Sequence, residues 1–333
     1  MDIAYIIYYD EEAKKNSGFI EMLKSECKKY DIVLEYISFE KVNLMSESSF
    51  ENQFKKVFFV INRTREYKLS LKFEKINVKV FHSSKITELG NNKYKTYCYL
   101  KDYFEKNKNE PQGEWIAHTV LVKAGDLNNV LNEYMGKDYV IKSVDGHGGS
   151  QVFLLNSDST KHGLYRKNSG NTDGDLYIEN SGNTDDDLYI KKNNDNAGNN
   201  IYKLLEGHDC VLQKRIDSDS NDIRVYIVFG KIYASVLRHG NDGFKSNFSL
   251  GGSVEEYFPN ENQKKIIEKF IEAFGAKQLS MVGIDFILTR DGSLIFNELE
   301  EMVGSRMLYN CSKHDIVKEY VEQIAKLQER GTV

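Results

Sequence analysis

Three acidic residues near the carboxyl end of the chain have spacing that suits a metal site. Asp285 lies inside the apolar run 282–288, and Glu298 and Glu300 end the next apolar run. Residues two apart on a strand point to the same side, so Glu298 and Glu300 share a face that Asp285 can join from a paired strand. Three carboxylates on one face repel one another unless a cation is present, and such oxygen ligands suit Mg2+. The alternative, an exposed acidic face, is less favoured because the neighbouring residues are strongly apolar.

A lysine followed by glycines forms a second group with potential chemistry. Lys142 ends an apolar run, and Gly146, Gly148 and Gly149 follow before the next run at 151–155. Glycines permit close backbone approach and unusual φ angles, and their N–H groups can point at anionic oxygen. The pattern is therefore consistent with a hairpin that covers phosphate, although glycine-rich turns that bind no ligand are more common.

Two pairs of arginines could hold anions. Arg224 and Arg238 interrupt the apolar hairpin 222–238, where two arginines favour an anionic ligand over snorkelling structural side chains. Arg63 and Arg65 follow the end of a predicted strand, where α/β sheets place ligand contacts. Paired arginines at that position could hold a carboxylate or phosphate bidentately. A solvated loop is an equally good interpretation of the second pair.

The first 90 residues alternate between predicted strands and helices, and these elements must position Arg63 and Arg65. Buried strands are predicted at 3–9, 32–38, 56–61 and 77–81, and residues 11–30 carry apolar side chains at helical spacing. This alternation predicts a small parallel α/β layer. A dinucleotide-binding domain is disfavoured, because the loop after the first strand has no GxGxxG motif.

The rest of the chain is richer in strands and hairpins. A polar linker with Pro111 and Gly113 follows the first predicted helix of this part. Helices are predicted around 93–106 and 260–277. Strands are predicted near 115–122, 138–143, 151–155 and 210–217, with hairpins at 222–238 and 282–300.

A duplicated segment interrupts the middle of the sequence. Residues 169–178 and 181–190 differ only at Gly174 and Asp186. An EF-hand loop is excluded, because the sixth and twelfth positions hold Leu and Gly where that loop needs Gly and Glu. The segment is interpreted as a duplicated insertion at about 156–200, to which no chemistry is assigned.

Length, charge and cysteine usage narrow the class of protein. The chain has 333 residues and a net charge of -5, which allows about two domains and disfavours a dedicated nucleic-acid binder. No apolar run approaches the roughly 18 residues of a spanning helix, and the first residues lack the features of a signal peptide. Four scattered cysteines without a CxxC motif suggest reduced thiols. The expectation is a cytoplasmic protein with no membrane or nucleic-acid partner.

The order of these motifs resembles the ATP-grasp superfamily. The chain presents, in turn, a lysine, a glycine-rich hairpin, LQxxI, a DIRV–G–R hairpin, NxxxGG, GIDF and NExE. The resemblance is closest to ligases that are similar to ribosomal-protein S6 glutamate ligase and glutathione synthetase. It implies an ATP-grasp fold of α/β class with α+β lobes, preceded by a parallel α/β pre-ATP-grasp domain. The implied domains are 1–90, a central lid lobe at 91–212 with the insertion, and a C-terminal lobe at 213–333.

The resemblance also implies roles for individual residues. ATP phosphates would meet Lys93, with Lys95 as the alternative, and also Lys142 under the lid glycines Gly146, Gly148 and Gly149. The adenine segment would be Gln213, Lys214 and Ile216. The transferred phosphoryl group and the acyl phosphate would face Arg224, Arg238 and Asn247. Mg2+ would bind Asp285, Glu298 and Glu300, the last standing where the family usually has Asn. The substrate carboxylate would lie near Ser305 and Arg306, which follow Gly304, and Arg63 and Arg65 are weaker substrate candidates.

The implied activity is the joining of a carboxylate to an amine with ATP and Mg2+, for which Mn2+ can substitute. The carboxylate would first form an acyl phosphate, which the amine then attacks, so no protein nucleophile is required. The expected substrates are amino acids or peptides, and the resemblance allows a homo-oligomer. Two alternatives remain at this point: a small-molecule kinase of the same fold, and a nucleotide-binding regulatory module without turnover.

Overall fold

A parallel four-stranded sheet opens the chain, in the computed structural model that describes residues 2–107, 115–149, 151–156, 197–240 and 253–329. Its order is β2-β1-β3-β4. The strands are β1 (Asp2–Tyr8), β2 (Ile32–Ser38), β3 (Phe59–Asn62) and β4 (Val80–Phe81). The helices of this layer are α1 (Asp10–Lys15), α2 (Ser17–Lys28), α3 (Phe39–Asn43), α4 (Glu47–Phe54) and α5 (Tyr67–Lys75). The predicted parallel layer is therefore observed, since apolar runs such as that of β1 are buried by helices.

The predicted helix at 11–30 is divided into two. Asn16 separates α1 from α2 with a non-helical φ of -108°, and its side-chain amide donates to the carbonyl of Glu12 at 2.8 Å. Asn, Ser and Gly occupy positions 16–18, and all three are weak helix formers in a helix interior. The apolar spacing identified the buried face but could not show this break.

Two helices and a small antiparallel sheet form the middle of the chain. The helices α6 (Ser84–Gly90) and α7 (Lys93–Lys106) precede the sheet, whose order is β5-β8-β6-β7. Its strands are β5 (Thr119–Val122), β6 (Tyr139–Ser143), β7 (Val152–Leu154) and β8 (Cys210–Lys214). The helices α8 (Leu127–Tyr134) and α9 (Ala197–Leu205) belong to this region. We call this sheet with α8 and α9 the small lobe.

The start of the predicted strand 115–122 belongs to a different sheet. Phe296 donates its backbone N–H to the carbonyl of Trp115 at 2.7 Å, and Ile116 forms an isolated bridge with Phe296. The strand of the small lobe begins only at Thr119. Trp115 and Ile116 therefore connect the small lobe to the C-terminal sheet.

A five-stranded antiparallel sheet carries the C-terminal part, in the order β11-β10-β9-β12-β13. Its strands are β9 (Asn221–Val228), β10 (Lys231–His239), β11 (Ser253–Glu256), β12 (Met281–Leu288) and β13 (Leu294–Glu300). The accompanying helices are α10 (Glu261–Phe274), α11 (Arg306–Cys311) and α12 (Ile316–Glu329). Both predicted hairpins are present, and β9 turns into β10 through Phe229 and Gly230, which have positive φ angles.

The hydrophobic cores do not each belong to a single sheet. One core joins β1 side chains such as Ile6 to Tyr226 of β9 and Tyr320 of α12. A second core packs α6 and α7 against the C-terminal sheet, through residues such as Leu100. The small lobe has a separate core that includes Ile141. The N-terminal layer and the C-terminal sheet therefore share apolar packing that the small lobe does not join.

The cysteines and the helices bear on the class of protein. All four cysteines are free, as their scattered spacing suggested. In the described part of the chain, every helix is too short or too polar to cross a membrane. The repeat at 169–190 lies outside the described residues.

Burial of His82 makes stability sensitive to acid. Burial, with a smaller contribution from Arg63, lowers the pKa of His82 to about 3, and its Nδ1 lies 3.2 Å from the hydroxyl of Ser280. The unfolded chain binds this proton near pH 6.5, so stability is expected to fall as the pH drops from about 6.5 towards 3. The loss is at most about 1.4 kcal/mol per pH unit. Urea unfolding at pH 7 and pH 4.5 measures it.

Two separate histidine substitutions distinguish this effect from general acid denaturation. The variant H82Q is expected to lose less stability between the two pH values than the wild type does. The control H118Q alters an exposed histidine and is expected to leave the loss unchanged. An H82Q variant with the wild-type pH dependence would contradict the assignment.

Candidate functional site

A cleft between the small lobe and the C-terminal sheet collects most of the predicted residues. Its walls come from β6, β7, the end of β8, the start of β9, β10, β12 and β13, with the start of α7 at one side. The predicted residues that line it are Lys93, Lys142, Gly146, Gly149, Gln213, Lys214, Ile216, Arg238 and Glu298. Val140, Val152 and Ile287 add apolar walls near Ile216.

Two lysines approach the cleft from different elements. Lys142 on β6 donates to Oδ1 of Asn297 at 2.9 Å, and Lys93 at the start of α7 donates to the carbonyl of Gly146 at 2.5 Å. The pKa of Lys142 is lowered to about 8, chiefly by burial, with Glu298 opposing the shift and Lys93 adding to it. An anion bound beside Lys142 would favour its charged form. Lys95, the alternative to Lys93, instead forms an ion pair with Glu88 outside this cleft.

The glycine-rich loop needs its glycines for two different reasons. Gly148 and Gly149 have φ angles of 64° and 75°, which side chains with a Cβ rarely adopt. A Cβ on Gly146 would come within 2.8 Å of Oε1 of Gln151, and closer still to Oγ of Ser143. The loop can therefore carry backbone atoms close to a ligand in the cleft.

The segment after β8 suits a flat, mostly apolar ring. Ile216 lies with Val140, Val152 and Ile287 around the cleft, while Gln213 is fixed by donating to Oγ1 of Thr119 at 2.8 Å. Apolar walls with a few fixed polar groups are typical of sites for small molecules and cofactors. These residues therefore fit an adenine ring.

A buried charge network lies behind the cleft. Arg224 donates to both carboxylate oxygens of Asp285 at 2.7 Å, and Arg238 donates to Asp222 at 2.5 and 2.6 Å and to Asp285 at 2.6 Å. The register explains the pairing, because Asp285 lies opposite Arg224 and Asp222 lies opposite Arg238 on adjacent strands. Burial alone would raise the pKa of Asp285, but the two guanidinium groups hold it below its usual range.

The three predicted metal ligands have different surroundings. Asp285 is fully buried among guanidinium groups, and Oε2 of Glu300 lies 3.4 Å from Arg224. Glu298 lines the cleft, and no hydrogen bond or ion pair reaches its carboxylate from the residues that the structure describes. Burial raises the pKa of Glu298, and Asp285 and Glu300 add to that rise while Lys93 opposes it. The described residues contain no group of three acidic, His or Cys side chains in metal-holding geometry.

A β-bulge brings an unanticipated residue into the cleft. The pairing of β12 with β13 passes from Asp285–Glu298 to Phe286–Phe296, so Asn297 is the extra residue on β13. Because a bulge interrupts strict alternation, Asn297 and Glu298 can both line the cleft. Their oxygens are of the kind that Mg2+ prefers, so the donor types fit this ion at Glu298 and Asn297. Period-two reasoning missed Asn297, although its position beside two acids was a possible signal.

Four other predicted residues, Arg63, Arg65, Ser305 and Arg306, do not line this cleft. Arg63 is buried and donates to Tyr8 Oη at 3.1 Å and to the carbonyls of Met302 and Val303 at 3.1 and 3.4 Å. It therefore connects the N-terminal layer to the C-terminal part. Ser305 is buried at the start of α11, and Arg306 is exposed on its first turn. Arg65 lies in the loop after β3, and Asn247 falls outside the described residues.

Comparisons with known proteins agree with this architecture. Residues 181–324 match the RimK-like ATP-grasp domain family. The uncharacterized protein MG011 of Mycoplasma genitalium is 24% identical over 330 residues, which is 96% of this chain and 91% of that protein. A probable alpha-L-glutamate ligase of Haemophilus influenzae is 28% identical over 109 residues, covering 32% of this chain and 35% of the ligase. The D-alanine–D-alanine ligase of Bacillus anthracis, solved in complex with ATP, has a TM-score of 0.62 at 13% identity, covering 100% of this chain and 98% of that one.

Proposed function

We propose that this chain, whose residues 181–324 match the RimK-like ATP-grasp family and whose fold is similar to that of an ATP-grasp ligase, uses ATP to join a carboxylate to an amine. One observation carries the proposal: two lysines, the glycine-rich loop, Arg238 and the cleft-facing Glu298 surround one cleft. Cations and an acid arranged around apolar walls suit a nucleotide triphosphate with a bound metal ion better than an uncharged ligand.

The chain's own residues would hold ATP at both ends. The adenine ring would lie between the apolar walls near Ile216, with Gln213 and Lys214 at its edge. Lys93 and Lys142 would contact phosphate oxygens beneath the loop that contains Gly146. Lys93 is already oriented by its hydrogen bond to the carbonyl of Gly146, so it needs little reorganisation when the phosphates bind. Lys142 would exchange its hydrogen bond with Asn297 for one with a phosphate oxygen, which leaves Oδ1 of Asn297 free for the metal ion.

Glu298 and Asn297 are the side chains that would hold Mg2+. When bound, this ion supplies positive charge that reduces the repulsion between the phosphates and an attacking carboxylate. The Glu298 carboxylate supports this assignment because it lines the cleft and the described residues offer it no hydrogen bond or ion pair. A nearby cation would favour its ionised form, which burial and the acidic neighbours disfavour. The involvement of Asp285 would be indirect, through the two arginines that it orients.

Arg238 would stabilise the transferred phosphoryl group. Asp222 and Asp285 hold its Nε and Nη2 atoms, so Nη1 is the nitrogen available to a ligand in the cleft. The substrate carboxylate oxygen would attack the γ-phosphoryl group, giving an acyl phosphate and ADP. The amine would then attack the carbonyl carbon and release phosphate. Orientation of the substrates and exclusion of water would provide much of the rate.

The proposal includes the domain boundaries and the cellular location that the sequence predicts. The pre-ATP-grasp domain at 1–90 would present a substrate, and 91–212 and 213–333 would enclose ATP. The substrates would be amino acids or peptides. Four free cysteines support a cytoplasmic setting.

Trapping with hydroxylamine tests the proposed chemistry. The protein is incubated with ATP, Mg2+, hydroxylamine and each member of a panel of amino acids and short peptides. A ligase is expected to release ADP and form a hydroxamate with at least one acid, because hydroxylamine attacks an acyl phosphate. ADP with a stable phosphorylated product and no hydroxamate would identify a kinase instead. No nucleotide binding by calorimetry would contradict the ATP site itself.

A further inference from the structure

The loop after β3 contains an arginine whose surroundings differ from those of the other arginines described above. The guanidinium groups of Arg224 and Arg238 are held by carboxylates. That of Arg63 is held through Nε and Nη2 by a hydroxyl group and two carbonyls, although its Nη1 is also buried without a partner. The guanidinium group of Arg65 forms no hydrogen bond and no ion pair with the described residues, and its Nε is buried. A buried guanidinium donor without an acceptor is costly unless a ligand completes it.

The position of Arg65 in the fold is where a parallel sheet binds ligands. In the order β2-β1-β3-β4, the chain leaves β1 towards one edge and returns to β3 on the other side. The carboxyl ends of β1 and β3 therefore flank the topological switch point, where open α/β sheets form their crevice. Tyr9 follows β1 and Arg65 follows β3 at that edge.

Local hydrogen bonds hold this loop in a fixed shape. Asn62 Oδ1 accepts from the N–H of Thr64 at 3.1 Å and from its hydroxyl at 2.7 Å, and Thr64 Oγ1 accepts from the N–H of Glu66 at 3.2 Å. Arg65 has a φ angle of 63° between these anchors, a left-handed conformation that is uncommon for a residue with a side chain. The guanidinium is therefore presented from a preorganised turn.

The glycine-rich loop carries a group that is electrostatically coupled to Arg65. Burial, Arg65 and Lys93 together lower the pKa of His147, which lies in the glycine-rich loop. Arg65 thus lies within electrostatic reach of the glycine-rich loop that borders the cleft.

We propose that Arg65 binds a substrate carboxylate that is not the one activated by ATP. This inference rests on the proposed ligase function and adds a substrate class, namely molecules with a free carboxylate besides the reacting group. That carboxylate can belong to the acid, as in a dicarboxylic amino acid, or to the amine, as in an amino acid or a peptide terminus. A guanidinium fork pairs with either through two parallel hydrogen bonds.

The experiment compares carboxylates with their amides in two arms. In the acid arm, hydroxylamine is the amine, and L-glutamate is compared with its two monoamides, L-glutamine and L-isoglutamine. In the amine arm, the acid identified by trapping is fixed, and L-amino acids are compared with L-amino acid amides. In one arm, the wild type is expected to prefer the carboxylate by about 100-fold in kcat/KM, because the amide leaves the guanidinium poorly paired. The arm that shows the preference identifies whether the acid or the amine carries the carboxylate that Arg65 binds.

The variants R65A and R65K link the preference to this side chain. R65A is expected to raise KM for the carboxylate substrate about 100-fold, to leave the amide nearly unchanged, and to bring their ratio close to one. R65K is expected to be intermediate, because an ammonium keeps the charge but loses the fork. KM for ATP is expected to stay the same. The control R290A removes an exposed arginine that pairs with Asp219 and is expected to behave as the wild type.

Direct binding keeps the test independent of turnover. Ligand-observed NMR with a mixture of L-amino acids is carried out on the full chain loaded with Mg2+ and a non-hydrolysable ATP analogue. Binding by the wild type and R290A but not by R65A supports the proposal even if no hydroxamate forms. Equal losses of carboxylate and amide activity in R65A, an unchanged preference, or no binding by the wild type would each overturn it.

Discussion

Replacing Glu298 by glutamine is expected to lower ADP formation by at least about 10³-fold, the scale associated with losing a group that stabilises transition-state charge. Glu298 and Asp222 both line the cleft, but Asp222 pairs with Arg238, whereas the described residues offer the Glu298 carboxylate no hydrogen bond or ion pair. Glutamine keeps the shape but removes the negative charge that would hold Mg2+. Initial rates of ADP release over a range of Mg2+ concentrations measure the effect.

The same variant is expected to be at least as stable as the wild type without ligands. Burial and the neighbours Asp285 and Glu300 penalise the ionised form of Glu298, as the raised direction of its pKa indicates. A neutral amide avoids that penalty, so an active-site group here opposes stability. The control E300N changes the neighbouring acid, which lies beside Arg224 and does not line the cleft, and is expected to retain most activity. Wild-type ADP release by E298Q would contradict the assignment of Glu298.

Replacing Asp285 by asparagine is expected to lower the free energy of unfolding by about 3–5 kcal/mol, because removing one partner leaves buried charges uncompensated. Asp285 accepts two hydrogen bonds from Arg224 and one from Arg238, and it is fully buried. Urea denaturation at pH 7 measures the loss. The control D219N breaks an exposed ion pair with Arg290 and is expected to cost less than about 1 kcal/mol.

The pH dependence of this variant provides a second readout. The pKa of Asp285 is below its usual range in the folded protein, so the unfolded chain takes up the proton first as the pH falls. The stabilisation is complete above the unfolded pKa, near 4, and is lost as the pH falls through the lower folded pKa. D285N is therefore expected to flatten the acid limb of the stability curve. Equal stability of D285N and the wild type at pH 7 would show that the network contributes little.

Patterns within single elements predicted the fold well. Apolar runs identified most strands of the three sheets, because burial on one or both faces leaves a direct trace in the sequence. The edge strand β11 was missed, since its residues, Ser253–Glu256, are polar and only partly buried. The same patterns placed Arg224 and Arg238 on the two strands of one hairpin. The break at Asn16 and the bulge at Asn297 were missed, since each depends on a single residue within a long apolar pattern.

Relations between elements were harder to predict. The side of a strand on which Asp285 lies follows from alternation, but its pairing with Arg224 depends on the register between β9 and β12. Arg63 and Arg65 are equivalent by residue type and spacing, yet only Arg63 reaches the carbonyls beyond β13. No local signal distinguishes them, because the distinction arises from residues about 240 positions away in the chain.

The shared core between the N-terminal layer and the C-terminal sheet has a mechanical consequence. Buried apolar packing and Arg63 unite these two parts into one platform, whereas the small lobe has its own core and meets the platform through connections such as Trp115 and Ile116. We expect opening and closing to be a hinge movement of the small lobe against this platform. Arg65 would then stay fixed while His147 travels with the moving lobe, so closure would enclose a substrate between a stationary cation and a mobile cover.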